Sequence, residues 1–148
     1  MAYFKNAKLL ENARKPRSPE SETVNYLVQI EGVMDAHIHA LTMHENRVRR
    51  AGTDARKEKE DGQGSDEESI QERATQLELL VRNVHEEIAA QQAGLAIDKD
   101  ASMIMEKLLT VSTPAQIRQF GASLRGYFVF LSTHRFGSHV LQKYLAIA

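Results

Sequence analysis

The side chains whose types first suggest chemistry are three histidines, His37, His39 and His44, and the adjacent pair Ser138-His139. Histidines two apart on a helix point about 200° away from each other. His37 and His39 therefore do not converge on one ion, and no carboxylate completes a ligand set. Neighbouring helical residues do not face each other, so Ser138 and His139 lack the mutual geometry of a nucleophile and its base. Gly62-Gln63-Gly64 lies in a charged stretch without the spacing of a phosphate-cradling loop. The chain contains no cysteine, which excludes disulfides, thiolate metal sites and cysteine nucleophiles. The expectation is a protein that is not an enzyme and uses neither metal nor cofactor.

A second kind of chemistry is written twice. Ser102-Met103-Ile104-Met105-Glu106-Lys107-Leu108-Leu109 aligns with Ser138-His139-Val140-Leu141-Gln142-Lys143-Tyr144-Leu145 at an offset of 36 residues. Ser and Lys recur, the third and fourth positions are apolar in both copies, and the fifth is Glu or Gln. The first and fifth positions lie one helical turn apart on the same face. A period between about 20 and 50 residues marks a helical solenoid, in which one unit buries its apolar face only against the next. The apolar second copy ends close to Ala148, so the expectation is a truncated array or one completed by a partner.

The elements that must carry these side chains read as helices throughout. Ser18-Pro19 reads as a cap and first turn, leading a helix from about 19 to 47 whose apolar face holds Val24, Leu27, Met34, Ile38 and Leu41, widened by Val28 and Ile30. From Arg49 to Glu68 no aliphatic residue larger than alanine occurs. Such a stretch buries too little to offset its ordering entropy, and a charged, disordered insertion is expected over 49–69, open to proteases between Arg56 and Lys59. Ile70, Ala74, Leu77, Val81, Val84 and Ile88 then form a helical stripe, with Gly94 as its C-cap. Three shorter helices follow: one over 98–111, one from Thr113-Pro114 through Phe120, Leu124 and Phe128, and one from about Phe136. The expected organisation is an N-terminal helical region over 1–48, the insertion, and helical repeats over 70–148, all-α.

The segment THRFGSHVLQKYL resembles the second-helix signature of pumilio (PUF) repeats, and DKDASMIMEKLL is similar to a more divergent copy. The resemblance covers roughly residues 80–148 and is closest to the nucleolar, ribosome-biogenesis branch. It implies a pumilio-like solenoid of stacked helix pairs. In such proteins each repeat reads one RNA base with two or three side chains. Carried over, the resemblance implies RNA-binding windows of Ser102, Met103 and Glu106 in the first copy and Ser138, His139 and Gln142 in the second. First and fifth positions would meet a base edge, and the second would stack between bases. An imidazole at His139 suits stacking better than the thioether of Met103. Arg135, Lys107 and Lys143 are candidates for phosphate contacts.

Composition agrees with a folded chain: of 148 residues, 42% are hydrophobic and 26% charged. Residues 1–98 hold 13 Lys and Arg against 18 Asp and Glu, whereas residues 99–148 hold 6 against 2. The basic C-terminal third suits a polyanion. No apolar run approaches the roughly 20 residues that span a bilayer, so no membrane partner is expected. The resemblance implies RNA, in the form of ribosomal RNA precursor, as the partner, together with proteins of pre-ribosomal particles, in the nucleus and nucleolus. The acidic N-terminal half and the amphipathic helices leave a second reading, a helical-repeat scaffold for protein–protein interaction without RNA binding.

Overall fold

The computed structural model describes residues 14–51 and 63–148. Among these residues there are seven helices and no strand: α1 Ser21–Ala51, α2 Gln63–Glu87, α3 Gln92–Ala96, α4 Lys99–Val111, α5 Pro114–Ser123, α6 Phe128–Thr133 and α7 Gly137–Ile147. Two compact units result. One combines the described part of residues 1–28 with residues 84–148, and the other is residues 29–83.

The first unit holds both repeat copies. Its core takes Leu27, Val84 and Ile88 from the long helices, Leu95 from α3, Ile104, Met105, Leu108 and Leu109 from α4, Phe120 from α5, Leu131 from α6 and Val140 from α7. In the second unit Met34, Leu77 and Val81 are the buried apolar side chains. Of the stripe read from Ile70 to Ile88, Leu77, Val81 and Val84 form the buried face of α2 and Ile88 is buried just past its end, whereas Ile70 and Ala74 are half-buried. On α1 the stripe is narrower than expected, because Val28 is 49% exposed.

Several boundaries differ from the sequence reading for identifiable reasons. Helix α1 starts at Ser21, with Val24 N–H bonding the Glu20 carbonyl at 3.1 Å, rather than at Pro19. The Glu20 amide instead donates to Gln91 Oε1 at 2.9 Å, a tertiary bond that holds the chain extended up to that point. Helix α1 continues through Ala51 and α2 begins at Gln63, so the expected disordered insertion is helical at both of its margins. Its remainder, with the expected cleavage sites at Arg56 and Lys59, lies outside the described residues. Gly94 caps nothing. It is buried inside α3, where a Cβ would overlap the Arg17 carbonyl oxygen. The left-handed residue after α2 is Ala90, at φ 68°. The expected single helix from Thr113 to Phe128 breaks in two around Gly126, whose φ of 85° suits glycine.

Thr113 behaves as read. Its Oγ1 accepts from the Gln116 amide at 3.2 Å while Gln116 Oε1 accepts from the Thr113 amide at 2.8 Å, a reciprocal capping box, with Pro114 at the first helical position.

Candidate nucleic-acid interface

The 36-residue offset seen in the sequence is also the period of the structure. Helix α3 opens at Gln92 and α6 at Phe128; α4 closes at Val111 and α7 at Ile147. Each pair of equivalent positions is 36 residues apart. Leu95 and Leu131 fill the same place in the two short helices, and Ile104 and Val140 in the two longer ones; all four are fully buried.

The turn between the paired helices repeats as well, with different chemistry. Asp98 Oδ2 accepts from the amides of Asp100 at 3.0 Å and Ala101 at 2.8 Å. At the equivalent place His134 Nδ1 accepts from the amides of Phe136 at 3.1 Å and Gly137 at 3.2 Å. A carboxylate and an imidazole nitrogen thus satisfy the same two free donors at a helix start. Since Nδ1 accepts, the ring proton of His134 belongs on Nε2, and the ring stacks against Phe130 with centroids 5.8 Å apart. The Thr-His-Arg-Phe-Gly part of the signature therefore acts on structure. Sequence reasoning assigned His134 no role, because a histidine cap is recognisable only beside its aspartate counterpart.

Helix α4 packs directly against α7. The two sequence windows consequently occupy neighbouring helices. Met103 is 61% exposed, and Glu106 is half-buried beside it. On α7, His139 and Gln142 are exposed and Ser138 is half-buried. The residues between them, Ile104, Met105, Val140 and Leu141, turn inward.

Ser102 departs from this set. It is 3% exposed, and its hydroxyl donates to the Lys99 carbonyl at 3.3 Å. Its place is in the helix pair's interior, and Met103 and Glu106 are the accessible members of the first window. Of the cations read as phosphate contacts, Arg135 is exposed and lies over the Phe136 ring, 4.6 Å from its centroid; Lys107 and Lys143 are half-buried.

The end of α4 is anchored by a part-buried polar contact. Ser112 Oγ donates to the Leu108 carbonyl at 2.6 Å, which spends its only hydrogen. His85 Nε2, 2.8 Å away, must then be the donor to that oxygen. Burial pushes the His85 pKa below its ordinary 6.5, in keeping with a neutral ring protonated on Nε2. Among the described residues no group of three or more His, Asp or Glu side chains is placed to hold a metal, and no helix is long and apolar enough to cross a membrane.

Residues 90–148 match the family described as the NOP9-like PUF repeat domain. Among curated proteins, nucleolar protein 9 of Arthroderma benhamiae is 36% identical over 61 residues, covering 41% of this chain and 8% of the relative. Nucleolar protein 9 of Neurospora crassa is 31% identical over 70 residues, covering 47% of this chain and 9% of the relative. The protein of the same name from Coccidioides posadasii is 30% identical over 66 residues, 45% of this chain and 9% of its own length. The chain thus spans less than a tenth of the relatives it matches. No solved structure matches it. The three relatives share a name that places them in the nucleolus. With its 36-residue helical period and its paired caps, the segment 90–148 is similar to the NOP9-like PUF repeat domain.

Proposed function

We propose that the protein binds single-stranded or looped RNA through the accessible faces of α4 and α7, and that this RNA is ribosomal RNA precursor. The observation that carries the reading is the side-by-side packing of those helices, which leaves Met103 and Glu106 on one and Ser138, His139 and Gln142 on the other available together. Glu106 accepts from base N–H groups, whereas Gln142 both donates and accepts. His139 offers an exposed aromatic ring on which a base can stack, and Met103 supplies an apolar platform of lower stacking strength. These are binding roles; the reading assigns the chain no catalysis, cofactor or membrane contact. Proteins of pre-ribosomal particles are the further partners that a nucleolar address suggests.

Ultraviolet crosslinking in cells that express the protein tests this reading. Adducts on the peptide containing Ser138 to Gln142, joined to precursor ribosomal RNA, are the expected result. Efficient capture of protein partners with no RNA adduct on that peptide would reject the reading and favour the scaffold alternative.

A further inference from the structure

The basic run Arg14-Lys15-Pro16-Arg17 forms a fixed strap across the first turn of the repeat pair. Pro16 is buried. The Arg17 carbonyl oxygen occupies the space that a Cβ on Gly94 would need. Three residues on, Gln91 ties the strap down: its Oε1 accepts from the Glu20 amide at 2.9 Å, and its Nε2 donates to Thr23 Oγ1 at 3.0 Å. At the other end the Arg14 guanidinium lies over Tyr127, 4.9 Å from the ring centroid. Gln91 and Tyr127 are themselves equivalent positions of the two repeat copies, 36 residues apart. The strap therefore bridges the two copies at matching points.

Between the strap and the turn before α3 lies a cavity of about 530 Å³, within the range of ordinary ligand clefts, about 300–1,000 Å³. Its wall includes Arg14, Lys15 and Arg17, the amides Gln91 and Gln92, and a single carboxylate, Glu20. The side chains of Lys15 and Arg17 are exposed and form no ion pair among the described residues. Ala90, the left-handed residue at φ 68°, also lines it. Non-glycine residues seldom adopt that conformation, and here it turns the chain so that Gln91 reaches the strap. The outcome is a preformed cleft with three cations against one anion and neutral amide groups between them. Arginine forks match phosphate oxygens in geometry as well as charge.

We propose that this cleft holds a phosphodiester of the RNA strand, gripping the backbone apart from the base-reading faces of α4 and α7. The proposal rests on the RNA reading above. It is tested with the 148-residue chain, its Lys15→Gln/Arg17→Gln variant and a labelled single-stranded oligouridine, with affinity followed across about 50 to 200 mM salt. Both changes are at exposed side chains, and an unchanged thermal melt certifies the fold. Each lost phosphate contact lowers the slope of log affinity against log salt by about 0.7 for single strands. Because the two side chains share one phosphodiester, the expected result is a slope shallower by about 0.7 in the variant. Binding by the parent with an unchanged slope in the variant overturns the strap's role alone. No binding by the parent even at low salt overturns the RNA reading and this proposal together. Inorganic phosphate and polyglutamate provide the remaining arms. If either shifts the amide resonances of residues 91–94 while the RNA does not, the cleft serves another anion and the proposal fails.

Discussion

At the scale of single residues, the polar side chains divide between holding the fold and facing solvent, and residue type alone does not say which. Ser102 and Ser138 occupy the same place in the two copies, yet Ser102 is buried on the Lys99 carbonyl and Ser138 is half-buried. The sequence pattern could align the two serines; it could not show that Ser102 lies in the interior. His85 carries a measurable consequence. Burial lowers its folded-state pKa below the 6.5 of the unfolded chain, so at low pH the unfolded state binds the extra proton more readily. The stability this residue contributes is therefore complete above about pH 6.5 and is lost as pH falls through its depressed folded value. Urea midpoints should drop between neutral pH and about pH 5 more steeply for the parent than for His85→Gln. Parallel pH profiles for the two would show that the buried imidazole is not a linkage site.

At the scale of elements, caps and turns decide where helices begin, and their legibility depends on how local their partners are. The Thr113-Pro114 start is local and legible, and Gln116, three residues on, completes it as a capping box. Replacing Thr113 by alanine should cost about 0.5–2 kcal/mol, with Thr113→Asp retaining most of the stability; equal losses from both in chemical denaturation would argue against a capping role. The start of α1 was misread because Glu20 is bound by Gln91, a residue 71 positions away that no local pattern reveals. Gly94 was misread for a similar reason: it is small because the Arg17 carbonyl passes over it, not because a helix ends there. The break between α5 and α6 had a local sign in Gly126, but the spacing of Phe120, Leu124 and Phe128 carried the helical pattern across it. The Ile70–Ile88 stripe was readable because its long periodic run coincides, from Leu77 on, with a genuinely buried face.

At the scale of the whole molecule, the repeat was the most legible feature, since translation by 36 residues preserves residue type at several positions in the sequence, and the cap positions, core positions, the start of the short helix and the end of the longer one in the structure. It brings two windows separated along the chain onto adjoining helices, α4 and α7, and this juxtaposition is the basis of the RNA reading. The decisive measurement is the equilibrium affinity of single-stranded RNA for the Ser138→Ala/Gln142→Ala double variant, set against that of the parent chain. Loss of two base-edge contacts should weaken binding by about 1–3 kcal/mol, while stability changes by no more than about 0.5 kcal/mol, as for other surface substitutions. Unchanged RNA affinity in that folded variant would contradict base reading by α7 and put the protein-interaction scaffold ahead.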